Sequence, residues 1–177
     1  MKVTRRNLIK ADIWAKVIWG DIGQPDLLAS VLKDNYDIDL GELLNVRTFL
    51  DHNRIWQDPE KINKNRSRLS SGAFAYRGRR IDNSLIEDNL LEHMLKWSPY
   101  VSKFGLLLIE LHTISPDIVA RSLGKTAATA YDATHGFSDQ YIVEIDVFHK
   151  VCAEAGLISD EEIFTKFPNS ELATVSI

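Results

Sequence analysis

The chain has 177 residues, 45% hydrophobic and 26% charged, with a net charge of −4. That size and balance suit one globular domain, or slightly more than one, and exclude a disordered tail and a fibrous repeat. Apolar runs such as Gly105 to Leu111 fall far short of the roughly 20 residues that span a bilayer, so no membrane partner is expected. The basic start is not followed by a sustained apolar stretch or a small-residue cleavage site, so no signal peptide is expected. Cys152 is the only cysteine, which excludes an internal disulfide and a thiolate-built zinc site and points to a cytoplasmic protein. The overall charge gives no reason to expect nucleic-acid binding. Lys61, Lys64, Arg66, Arg68, Arg77, Arg79 and Arg80 nevertheless fall in one stretch without an acid. That stretch is either a patch for an anionic partner or a solvated loop.

Trp14 to Ile22 is β-branched and aromatic, breaks at Gly20, and predicts a buried strand with Trp14 and Trp19 in the core. Pro25 and Asp26 then fit the first turn of a helix. Leu43 to Leu50 predicts a second strand. Residues 51 to 83 lack a period and predict a lid, a binding segment or local disorder, with turns at Gly72 and Gly78. Ser84-Leu-Ile-Glu87 has capping-box spacing, and Ile86, Leu90, Met94 and Trp97 follow at helical intervals until Pro99. His93, on that helix, reads as a packing or surface residue. Phe104 to His112 predicts a central parallel strand. Residues 113 to 139 predict a loop. A helix from Gln140 is expected to stop at Gly156, and Glu171 to Ile177 to close the sheet.

Strands alternating with helices predict an α/β sheet, whose ligands bind beyond the carboxyl ends of the strands. Asp21, then Asp51, His52 and Arg54, then Glu110 and His112 follow the predicted strands. Asp21 either accepts a hydrogen bond from an adenine amino group, with Ile22 against the ring, or caps the next helix. The acid, imidazole and guanidinium of Asp51, His52 and Arg54 suit a metal, a proton transfer or a carboxylate substrate, or else a hydrogen-bonded turn. His135, Asp139 and Gln140 offer mixed nitrogen and oxygen ligands that suit iron or manganese better than structural zinc. Asp139 and Gln140 equally fit the start of the following helix.

Four strings occur here in order: Trp19-Gly-Asp-Ile-Gly-Gln-Pro-Asp26, Val46-Arg-Thr-Phe-Leu-Asp-His-Asn-Arg54, Phe104-Gly-Leu-Leu-Leu-Ile-Glu-Leu-His112 and Tyr131-Asp-Ala-Thr-His-Gly-Phe-Ser-Asp-Gln-Tyr141. Together they resemble the S-adenosylmethionine-dependent C-methyltransferase domains of polyketide synthase loading modules, of the apratoxin and gephyronic acid type. The resemblance implies a class I methyltransferase fold on a Rossmann-like sheet. It implies methyl transfer to the α-carbon of a malonyl group on an acyl carrier protein, with a mononuclear iron or manganese site in some members. It places the metal on His135 and Gln140, the base or an additional ligand among Asp51, His52 and His112, and the cofactor's adenine end at Asp21 and Ile22.

The pattern also departs from the family. No Gly-x-Gly precedes Asp21, and the first two strands of a class I sheet are not found. In that sheet the strands lie in the order third, second, first, fourth, fifth, seventh, sixth. The expectation is therefore a single partial methyltransferase-like domain over residues 1–177, with a polar and basic lid-like insertion at about 56–83. It is a fragment, one half of a split enzyme whose partner chain supplies the missing strands, or a domain that has lost transfer. The alternative from another class is a non-catalytic scaffolding module for a carrier protein or partner chain.

Overall fold

A computed structural model describes residues 1–67, 69–160 and 163–177, with only the backbone described across 132–136. Six strands and six α-helices are assigned among these residues. The main sheet contains β1 (Asn45–Thr48), β4 (Leu106–Leu111), β6 (Val175–Ser176) and β5 (Lys166–Phe167), ordered β1-β4-β6-β5. β1 runs parallel to β4, with Arg47 opposite Leu108. β6 is antiparallel to β4, with Ser176 opposite Glu110. β1 is thus an edge strand, and Val46 on it is 55% exposed. A separate hairpin pairs β2 (Phe74–Tyr76) with β3 (Arg79–Ile81). Its two-residue turn has positive φ at Arg77 and Gly78, the combination that matches strand twist in a tight hairpin.

The predicted strand at Trp14 to Ile22 does not form. No described strand pairs with it, and Trp14 and Trp19 are 99% and 63% exposed rather than core. The segment instead lays Ile18 and Ile22 against Leu32 of α2 (Pro25–Tyr36) and Trp97 of α3 (Asn83–Val101). α1 (Lys2–Lys10) buries no residue.

α3 organises the core. Ile86, Leu90, Met94, Trp97 and Val101 share one buried face, each contributing about 1.5–3 kcal/mol for leaving water. Ile86, Leu90 and Met94 meet Val147, Phe148 and Val151 of α6 (Ile145–Glu154). Two local expectations fail here. Asp82, not Ser84, is the N-cap: its carboxylate accepts from the Ser84 backbone N–H at 2.9 Å. Pro99 does not close the helix, which continues to Val101. The stretch 113–139 is not all loop, since it holds α4 (Pro116–Arg121) and α5 (Ala128–Ser138). α6 begins at Ile145, not at Gln140, because Asp139 at φ 49° closes α5 in a left-handed cap. Gly156 does stop α6, at φ 81°.

The polar stretch after β1 is strapped down rather than loose. Carboxylates on α3 collect its backbone N–H groups. Glu87 accepts from Leu69 and Ser70 at 2.8 and 2.9 Å, Asp88 from Asn63 at 2.9 Å, and Glu92 from Lys61 at 2.7 Å. Arg66, its side chain 3% exposed, bridges Asp88 and Glu154 at 2.7 Å each. Arg66 is therefore an internal tie and not part of a basic surface. Arg79 pairs with Asp58 at 2.8 Å. Lys61, Lys64, Arg77 and Arg80 remain exposed, and Arg68 lies outside the described residues. No helix among the described residues is long and apolar enough to cross a membrane.

Candidate functional site

The carboxyl ends of β1 and β4 carry a buried polar cluster. Parallel pairing sets these ends side by side, so the turn after β1 stands against Glu110 near the end of β4. Glu110, 2% exposed, uses both oxygens. Oε2 accepts from the Asp51 backbone N–H at 2.8 Å. Oε1 accepts from the Leu111 backbone N–H at 2.7 Å and meets His52 Nδ1 at 2.5 Å.

The tautomer of His52 follows from its neighbours. Asn53 Nδ2 lies 3.1 Å from the Phe49 carbonyl, which can only accept, so this end of the amide is the NH2. The same NH2 sits 3.0 Å from His52 Nε2, which must then be the unprotonated nitrogen. In the neutral ring the proton is on Nδ1 and points at Glu110. This arrangement orients a general base: the carboxylate fixes the ring and stabilises the imidazolium, and Nε2 offers its lone pair. Gln140 Nε2 donates to Asn53 Oδ1 at 2.9 Å and so holds the amide that meets Nε2. Asn53 is exposed and Gln140 half-buried, which leaves both able to yield to a ligand.

Asp51, with 0% exposure, anchors the second half of the cluster. Its Oδ1 accepts from Arg47 Nη1 at 2.6 Å and from His93 Nε2 at 2.7 Å. Burial pushes the Asp51 carboxyl up, but the His93 hydrogen bond and the Arg47 and Arg54 charges together hold it below the usual carboxylate range. Arg54 donates to Asn89 Oδ1 at 2.6 Å and to the Asp51 carbonyl at 2.8 Å. Burial lowers its pKa to about 10, and it stays charged at neutral pH. Two guanidinium groups thus face two carboxylates in one enclosed site.

His112 stands apart from this cluster. Its Nε2 meets Ser176 Oγ at 2.8 Å, and its ring packs edge-on against Phe148. Burial lowers its pKa to about 3, so it is a neutral structural imidazole. A folded pKa below the unfolded one means that stability is complete above about pH 6.5 and declines as pH falls toward the folded value. The decline is about 1.4 kcal/mol per pH unit, or about 3 kcal/mol by pH 4. Urea unfolding at pH 7 and pH 4 should therefore show a smaller acid loss in His112→Gln than in the wild type. An equal loss would contradict this assignment.

Asp21 is not the cap of α2, whose N-cap is Gln24 without a side-chain cap hydrogen bond. Its two oxygens accept from Gly23 N and Gln24 Nε2, both at 2.8 Å, just before α2. Ile22 offers its carbonyl to Trp97 Nε1 at 2.8 Å. Gln140 is not the helix start weighed in the sequence, since α6 begins later, and it reaches the His52 site. His135 lies in α5, but its side chain is outside the described residues. Among the described residues no group of three or more His, Cys, Asp or Glu could hold a metal ion. The metal pair that the resemblance implied, His135 and Gln140, thus falls partly outside the described residues.

The sequence reading gave no role to Glu110 and took His93 for packing. Both are hydrogen-bonded in the buried centre, together with Arg47 and Asn89. The one sequence signal for them is an acid at the end of an otherwise apolar strand, a position where burial demands a partner.

The family model for the AprA MT2-like domain matches residues 1–177. The chain belongs to this methyltransferase family. A search of curated proteins finds no match. Membership in the AprA MT2-like family implies S-adenosylmethionine as methyl donor. Asp21 lines two clefts: one is mainly apolar and holds Arg47, and the other also holds Asp58, Glu60 and Glu92.

Proposed function

We propose that this chain is the substrate-side part of an S-adenosylmethionine-dependent C-methyltransferase of polyketide-type biosynthesis, acting on a malonyl-type acyl group on a carrier protein. The observation that carries the reading is the buried Glu110–His52 pair, with the lone pair of His52 Nε2 turned to the exposed Asn53 amide. Nε2 takes the proton from the α-carbon. The C–H bond breaks, the proton goes to the ring, and the electron pair enters the enolate. Glu110 stabilises the imidazolium, and the Asn53 amide, released from Nε2 once the ring takes the proton, supplies an N–H donor for the enolate oxygen.

We read the strand order β1-β4-β6-β5 as the fourth, fifth, seventh and sixth strands of a class I sheet. We take the free edge of β1 as the place where the first strands pair, from the same polypeptide or a partner chain, and where the methyl donor's cradle is completed. Exposed Lys61, Lys64, Arg77 and Arg80 suit an acidic carrier protein.

Proton removal needs no methyl donor, so it can be tested on the chain itself. With a malonyl thioester in D2O, the chain should exchange the α-protons faster than buffer alone, followed by NMR. Exchange at the buffer rate would reject the reading.

A further inference from the structure

Arg47 uses only part of its hydrogen-bonding capacity on Asp51. Its guanidinium is 5% exposed and stacks on the Trp97 indole at 4.0 Å. Nη1 holds Asp51, whereas Nε and Nη2 are buried without a hydrogen-bond partner among the described residues. These two nitrogens form one edge of the guanidinium, with parallel N–H bonds that match the two oxygens of a carboxylate. Leaving such an edge buried and unpaired costs free energy that a matching anion would recover.

Arg47 and Trp97 line a cleft of about 490 Å3 beside β1. The rest of its wall is mainly apolar, with Trp19, Leu28, Leu50 and Ile55. Arg47 is the only cation in that wall, and the one acid, Asp21, is already bonded. Leu50 and Ile55, 45% and 69% exposed, lie on the solvent side of that wall.

We propose that the Nε–Nη2 edge of Arg47 binds the free carboxylate of the acyl substrate in this cleft. The inference rests on the malonyl reading above and adds the group that recognises the acid end. It also gives that end a chemical purpose. Enolate formation adds negative charge next to an existing carboxylate, and a guanidinium paired with that carboxylate removes much of the repulsion. Arg47 and the base are linked through adjacent residues, since Arg47 holds Asp51 and Glu110 holds both the Asp51 N–H and His52.

Calorimetric titration of S-malonyl-N-acetylcysteamine and of its neutral acetyl analogue tests the assignment. The wild-type chain should prefer the malonyl compound by about tenfold or more. Arg47→Lys keeps a cation for Asp51 but lacks the planar edge, and should lose most of that preference with little change in melting temperature. Should that variant not fold, the Arg47 Nε–H resonance of the wild type answers instead. It should move on adding the malonyl compound and stay still with the acetyl one. An undiminished preference in Arg47→Lys, no preference in the wild type, or an Nε–H that moves only with S-adenosylhomocysteine would overturn the inference. Proton exchange that proceeds without dependence on Arg47 defeats this inference alone, whereas absence of exchange defeats the malonyl reading.

Discussion

Replacing His52 with Ala should slow α-proton exchange of a malonyl thioester by about a hundred- to ten-thousandfold, the usual worth of a positioned general base. Nε2 is the only nitrogen in the cluster shown with a lone pair facing a replaceable neighbour. His93 turns its Nε2 to Asp51, and His112 turns its Nε2 to Ser176. Added imidazole should restore part of the rate in His52→Ala, which a purely structural loss would not allow. Glu110→Gln should lose a comparable factor and also some stability. The glutamate accepts from three nitrogens at 2.5 to 2.8 Å, and an amide would turn an NH2 toward donors. An exchange rate unchanged in His52→Ala would remove the base from the account.

The second large effect concerns stability. Asp51→Asn should cost about 3–5 kcal/mol in urea unfolding at pH 7, the range for removing one partner of a buried ion pair. Asp51 Oδ1 accepts from both Arg47 and His93, and Asn leaves the Arg47 charge uncompensated. The pH dependence provides a second signature. The folded carboxyl titrates below its ordinary range, so its contribution is present above the unfolded value near pH 4 and is lost as pH falls through the folded value. The acid limb of the stability curve should be shallower in Asp51→Asn. A cost under about 1 kcal/mol with an unchanged limb would show that the pair carries little weight.

How far the fold was legible depends on whether local pattern and tertiary partner agreed. β1 and β4 could be read because their apolar runs end in polar residues at strand tips, and the site was expected there. Trp14 to Ile22 had equal strand character but finds no neighbour to pair with. Propensity for a strand is realised only through pairing and packing on a neighbour. Glu87 had the spacing of a capping box, yet Leu69 and Ser70 claim its carboxylate from a distant stretch. His52 was legible as a candidate base. Its orienting partner was not, because Glu110 lies 58 residues away and only the parallel register brings the two together. His93 was misread for the same reason: helical periodicity places it on a buried face but cannot show that Asp51 waits there, 42 residues earlier.

The state of the His52 ring tests the account most directly. Nitrogen-15 NMR of the labelled chain, recorded on the neutral ring, distinguishes a protonated ring nitrogen from one with a bare lone pair. The account predicts a proton on Nδ1, in a short hydrogen bond to Glu110, and a bare Nε2. A proton found on Nε2, with Nδ1 bare, would contradict it.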